Sequence, residues 1–403
     1  MLNIITPLDP LERPFDEIIL SHGELISDRL NLLRQEQYTS DIPKPLRQFS
    51  LAEASYFLGV TTSNIKKLHL EGKGPTPTTS ATGRRSYSAD QMLELRNYLD
   101  TNGRPGKKLY MPVRKDHEDM QVISVVNFKG GSGKTTTASH LAQHLALKGH
   151  RVLAIDLDPQ ASFTTLCGIQ PEIDNIESIY ECLRYDDQRK SIKDIIHPTK
   201  FPNLDIVPAN LELQEYEYDT PVAMASGQPM EGKLFFNRIK QALKDVDDAY
   251  DVVVIDCPPQ LGYLTLTSLT ASTAVLVTIH PQMLDVISMS QFLLMLGGIM
   301  KTINEAGAQI DLKWFRYLVT RYEPTDGPQK QMVGFMQTLF PNHILQATMV
   351  KSTAIASAGI TKQTLYEIDR SEFTRSTYDR AFTALNAVND EITDLIHKAW
   401  GRG

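Results

Sequence analysis

From residue 121 onward, short apolar runs alternate with stretches whose apolar residues recur at helical spacing. The runs 122–127, Val152–Asp156, 204–208, Val252–Asp256 and Ala274–Ile279 are rich in Val, Ile and Leu, which predicts buried strands. The segments 135–148, 235–244 and 288–304 carry the stripes of amphipathic helices. Such alternation predicts a mostly parallel, doubly wound α/β sheet with helices on both faces, whose ligands bind beyond the carboxyl ends of the strands. A last stripe, Tyr378, Phe382, Leu385, Val388, Ile392 and Leu395, predicts a helix over 377–400. Its polar face lacks the Lys and Arg density of a lipid anchor, so the expected role is to cover the sheet.

The first 120 residues follow another pattern. Ile18, Leu25 and Leu32 stand at heptad spacing beside Ile19, Ile26 and Leu33, so 1–45 predicts a helical segment with one sticky face. It either packs on its own domain or pairs with a second copy; only about two heptads are present, and Gly23 interrupts them. Residues 46–100 predict a small separate domain. Leu51–Leu58 reads as a short helix, Gly59 as a turn, and Thr62–Leu70 as a second helix capped by Thr61 or Thr62, the grammar of a helix–turn–helix. A Gly- and Pro-rich stretch follows, then Gly83-Arg84-Arg85-Ser86-Tyr87-Ser88 ahead of another helix from Ala89. That basic turn with an aromatic anchor resembles the wing of MerR-like DNA-binding domains. Residues 101–120, with Asn-Gly-Arg-Pro-Gly-Lys-Lys, have the composition of a linker, and 121–403 form the sheet domain.

Charge sharpens the picture locally. The net charge is −7, so the chain as a whole is not a generic polyanion binder. Between Lys44 and Tyr87, however, seven Lys and Arg face only Glu53 and Glu71, the footprint of a phosphate-binding face. Thr62, Ser63, Asn64, Lys66 and Lys67 on the second helix can enter a major groove, where Asn64 is the candidate for a base edge. Arg84 and Arg85 suit phosphates or the minor groove. Cys167, Cys182 and Cys257 lack disulfide or zinc spacing and fit a reducing cytoplasm. The N-terminus shows no signal-peptide pattern, and no apolar run reaches the ~18–20 residues of a membrane span.

The chemistry concentrates at Lys129-Gly130-Gly131-Ser132-Gly133-Lys134-Thr135-Thr136. A strand ends here, a glycine-rich loop follows, and a helix begins. Backbone N–H groups in such a loop turn inward around phosphate oxygens, and the helix N-terminus adds partial positive charge. Lys134 can bridge the β- and γ-phosphates, and the Thr135 hydroxyl can ligate Mg²⁺. Two acidic stations follow at strand ends: Asp156-Leu-Asp158-Pro159-Gln160, and Asp256-Cys-Pro-Pro, the latter a Walker B pattern expected to hold Mg²⁺ through water.

The loop departs from GxxxxGK[ST] by placing Phe128 at the first glycine and Lys129-Gly130 after it. It resembles the deviant Walker A of the ParA/MinD ATPases. That resemblance implies that Lys129 reaches across a dimer interface to the partner's nucleotide, that Asp158 positions the attacking water, and that Asp156 lies near the Mg²⁺ shell. Order and length are similar to the large plasmid-partition ATPases, the RepA group of repABC replicons among them. The resemblance further implies ATP-dependent homodimerisation, weak ATP hydrolysis stimulated by a centromere-binding ParB/RepB-like partner, non-specific binding to nucleoid DNA in the cytoplasm, and repression of the chain's own operon. Lys351, with Lys330 nearby, resembles the family's non-specific DNA contacts; both are otherwise solvated lysines. Arg321-Tyr322-Glu323-Pro324 stands in a suitable place for adenine, and the absence of an NKxD motif favours ATP over GTP. The second reading is an ATP-switched transcriptional repressor without a transport role, which would not need Asp158 as a water-positioning carboxylate. A membrane-positioning ATPase of the MinD kind is disfavoured by the DNA-binding domain.

Overall fold

In four strands at the centre of this protein, rich in Val, Ile and Leu, neither face meets solvent, and they are buried from end to end. The computed structural model describes residues 14–37, 46–103, 110–174, 176–226, 234–308 and 310–402, which divide into two compact units, Met1–Pro45 and Leu46–Gly403. In the first unit the described part is helix α1 (Phe15–Gln37), with Asp16 and Glu17 in its first turn and Ile19, Leu20, Leu25 and Ile26 exposed. The side chains of Leu32 and Leu33 lie outside the described residues.

The second unit opens with β1 (Phe49–Ser50), α2 (Leu51–Leu58), α3 (Thr62–Leu70), β2 (Thr78–Thr79), β3 (Arg85–Tyr87) and α4 (Ala89–Thr101). Local chemistry explains each boundary. Ser50 and Glu53 form a capping box at α2, Gly59 ends that helix at φ +65°, and the Thr61 hydroxyl accepts from Asn64 N to start α3. The strands pair antiparallel in the order β1-β3-β2. Then follow β4 (Gln121–Val126), α5 (Lys134–Leu147), β5 (Val152–Asp156), β6 (His197–Pro198), β7 (Leu204–Val207), β8 (Val252–Asp256), β9 (Ala274–Ile279), α6 (Met283–Glu305), β10 (Trp314–Val319) and α7 (Arg375–Ala399) among the principal elements. The large sheet runs β10-β9-β4-β8-β5-β7-β6, parallel throughout except for the antiparallel edge strand β6.

Three findings differ from the sequence reading. Residues 46–103 are not a detached domain: Phe57, Ile65, Tyr87 and Leu95 share one apolar core with Leu141 of α5, Tyr366 and Leu385. The buried Arg96 clamps this junction, donating to Tyr110 O and Phe57 O, both at 2.5 Å, and to Leu147 O at 3.3 Å. The described part of the expected linker, 110–120, is also held down, for Tyr110 N donates to Asp100 and Arg114 N to Asp251. Finally, α6 begins five residues before the expected 288–304 and is, by length and composition, long and apolar enough to cross a membrane. Within it, Asp285, Ser288, Ser290 and Gln291 break up the apolar run without interrupting the helix.

Candidate functional site

The sheet register sets the site. Val125 of β4 lies opposite Asp256 of β8, and Asp256 opposite Asp156 of β5, so both carboxylates end beside the loop that leaves β4. That loop needs left-handed backbone at Gly131 (φ +72°) and Gly133 (φ +87°), the latter capping α5, and only glycine adopts these conformations freely. It is tied to neighbouring strands: Thr320 Oγ1 donates to Ser132 O at 2.7 Å, Arg321 Nη1 to Gly131 O at 2.9 Å, and Thr278 Oγ1 to Ser132 Oγ at 3.1 Å. Lys129 N donates to Asn127 Oδ1 at 2.9 Å. The conformation is therefore built by the protein itself.

A cavity of about 650 Å³ opens against this loop. Its lining includes Lys134, Thr135, Asp158, Pro259, Arg321 and Lys351. Lys134 is buried, and burial lowers its pKa against the opposing pull of Asp256 and Asp158. Asp256 is fully buried and neither carboxylate oxygen has a hydrogen-bond partner. Burial and then Asp156 push its pKa well above the usual range. The Thr135 hydroxyl and Lys134 act the other way, Thr135 close by without completing a well-formed bond. A buried carboxylate this poorly satisfied is costly unless a cation meets it. Asp256 with Thr135 therefore suits a divalent cation, and the loop suits a phosphate chain.

Asp156, which the register sets beside Asp256, is also bonded to its own turn. Its Oδ1 accepts from Asp158 N at 3.1 Å, and its Oδ2 from Thr164 N and Thr164 Oγ1, both at 2.8 Å. Burial raises its pKa to about 7 despite these bonds. With its oxygens so engaged, Asp156 holds the turn that presents Asp158. Asp158 itself is half-buried on the cavity wall, its Oδ1 accepting from Gln160 N at 3.0 Å.

Lys351 stands at the cavity rim with its ammonium 2.8 Å from Glu323; Lys330 is exposed on the helix Gly327–Leu339. The wall from Met349 to Ala356 was not read from the sequence as part of the nucleotide site, Lys351 being singled out for DNA, because only tertiary position relates it to the loop. Tyr322 N bonds Met349 O at 3.0 Å and Lys351 N bonds Tyr322 O at 2.9 Å, which brings that wall to the segment expected near adenine.

A second concavity, about 630 Å³, lies between α3 and the β2–β3 turn. It gathers Thr62, Lys66, Arg84 and Arg85 around the exposed Leu70. Ser63 and Lys67 are exposed and Asn64 half-buried on the same helix. His69 of α3 stacks on Tyr87 at 5.6 Å and its Nδ1 lies 3.3 Å from Arg85 Nη1, which pins the basic turn to the helix.

A family model described as an AAA domain matches residues 120–308. A Sinorhizobium fredii protein named replication protein A is 65% identical over 398 residues, spanning 99% of this chain and 97% of its own. With the Lys129-to-Thr136 loop, that relationship decides the family. The chain belongs to the ParA-type P-loop ATPases of plasmid partition. A solved structure described as a partition protein shares the fold, covering 93% of this chain and 98% of its own with a TM-score of 0.58 at 17% identity. A cobyrinic acid a,c-diamide synthase from Mycobacterium smegmatis, solved with a bound ATP analogue and magnesium, covers 60% of this ParA-type chain and 91% of its own at 28% identity and a TM-score of 0.50.

Proposed function

We propose that this chain is an ATP-dependent partition ATPase that dimerises on ATP, binds specific DNA through its N-terminal portion and binds nucleoid DNA without sequence preference. The observation that carries the nucleotide reading is Asp256, a buried carboxylate without a protein partner beside Lys134 and Thr135. Thr135 and, through water, Asp256 would hold Mg²⁺, which supplies charge neutralisation at the β- and γ-phosphates. Lys134 binds those phosphates, and the loop N–H groups orient them. Asp158 orients the attacking water. Lys129 acts on the nucleotide of a second copy and stabilises charge there. A centromere-binding ParB/RepB-like protein is the partner that stimulates turnover, and repression of the chain's own operon follows from the specific DNA binding.

The shared concavity of α3 and the β2–β3 turn supports a winged helix–turn–helix, with Asn64 toward a base edge and Arg84 and Arg85 toward phosphates. The same concavity favours a second reading, an ATP-switched repressor without transport. Binding to operator and random duplexes, with and without ATP, tests the arrangement. Arg84→Ala/Arg85→Ala should lose operator affinity and flatten its salt slope by about 2, roughly 0.9 per phosphate contact, while ATP-dependent random-duplex binding survives. Equal losses on both duplexes would mean one shared DNA surface and would contradict the proposal.

A further inference from the structure

The nucleotide loop carries two lysines that are held in different ways. Lys134 is buried at the start of α5, its ammonium 3.4 Å from Lys129 O. The Lys129 side chain is 47% exposed, yet its ammonium is ion-paired with Asp285 in the first turn of α6. Asp285 is only 8% exposed, and its Oδ2 has no hydrogen-bond partner, with His280 Nδ1 3.5 Å away. Lys129, His280, Gln282, Asp285 and Arg321 surround a cavity of about 290 Å³ that shares Gly130, Gly131 and Arg321 with the nucleotide cavity but not Asp158 or Pro259.

A lysine that works on another molecule's phosphates must bring an unpaired ammonium to them. Here the ammonium is already neutralised by a carboxylate of its own chain. That carboxylate has given up water and gains no other hydrogen bond on its second oxygen, so parting the pair leaves a buried charge uncompensated. The pair therefore opposes any movement of Lys129 toward a partner until a stronger anion competes for it.

We propose that Asp285 is a positioning residue that holds Lys129 in cis, and that the triphosphate of a second copy draws Lys129 away when the dimer forms. This rests on the reading of Lys129 as acting across the dimer. A diphosphate carries less charge and lacks the γ-phosphate, so it competes less well with the Asp285 carboxylate. Asp285 thereby makes the release of Lys129 depend on the triphosphate.

The test is the dimer dissociation constant by sedimentation, with ATP and with ADP, for wild type, Asp285→Asn, Asp285→Glu, Lys129→Ala and the double variant Lys129→Ala/Asp285→Asn. Asp285→Asn keeps the shape and removes the charge. It should tighten the ATP dimer roughly tenfold and the ADP dimer by no more than that, because the weaker diphosphate returns less when it gains Lys129. Asp285→Glu keeps the charge and should stay near the wild-type constants. In the Lys129→Ala background, Asp285→Asn should change neither constant. An unchanged or weaker dimer for Asp285→Asn, or the same shift with Lys129 absent, overturns the proposal. Wild-type dimerisation and turnover in Lys129→Ala would instead overturn the underlying role of Lys129, and the proposal with it.

Discussion

His140 shows at the scale of one residue how burial sets protonation. It lies on α5 with Nδ1 donating to Thr136 O at 2.7 Å and Nε2 accepting from Leu365 N at 3.3 Å, and burial lowers its pKa to about 4. The unfolded value is about 6.5, so between the two the unfolded chain binds a proton that the folded chain does not. Its contribution is fully present above pH about 6.5 and falls as pH drops toward 4, by roughly 2 kcal/mol at pH 5. His140→Gln should therefore destabilise by about 1–3 kcal/mol at pH 7.5 through lost hydrogen bonds, with the deficit shrinking by about 2 kcal/mol at pH 5. Denaturant titrations at the two pH values decide it; a constant deficit would mean that His140 is not held neutral. At this scale the sequence was informative where chemistry is local. Lys134, Thr135 and Asp256 could be placed from a loop and a strand end, whereas Asp285 could not, since its partner Lys129 is brought to it only by the adjacency of β4 and β9.

Among elements, the loop and α5 were legible because glycines, a strand and a helix start are contiguous. The wall Met349–Ala356 was not, because it meets the loop only through β10 and the bridge of Tyr322 to Val350. Lys351 sits on that wall, so its two possible duties separate experimentally. Lys351→Ala should lose random-duplex binding in ATP while keeping ATP affinity within about twofold, because its side chain is 56% exposed and its ammonium already answered by Glu323. Filter binding and nucleotide titration on one preparation check this. A large loss of ATP affinity with duplex binding intact would assign Lys351 to the nucleotide instead.

For the whole molecule, the junction of 46–103 with the sheet domain is the feature that composition concealed. Phe57 packs edge-on against Tyr366 at 6.0 Å and His144 at 5.7 Å, and Tyr56 OH donates to Asp390 Oδ2 at 2.5 Å. These pairs are more than 80 residues apart in sequence, beyond the reach of any local pattern. A continuous core predicts one cooperative transition for 46–403 in calorimetry, with Phe57→Ala lowering its stability by about 3–5 kcal/mol. Two resolved transitions, only one of them shifted by Phe57→Ala, would contradict the shared core. The α5 helix spans this whole arrangement, with the nucleotide loop at its start and Leu147, bonded by Arg96, at its end. The central claim, that this loop binds ATP and Asp158 directs its hydrolysis, is tested most directly by Mg-ATP affinity and turnover measured together on wild type, Lys134→Ala and Asp158→Ala. Lys134→Ala should remain folded and lose affinity by roughly 100-fold or more, whereas Asp158→Ala should bind ATP as wild type does and lose turnover by about 10²–10⁴-fold. Unchanged ATP affinity in Lys134→Ala, or wild-type kcat in Asp158→Ala, would contradict the account.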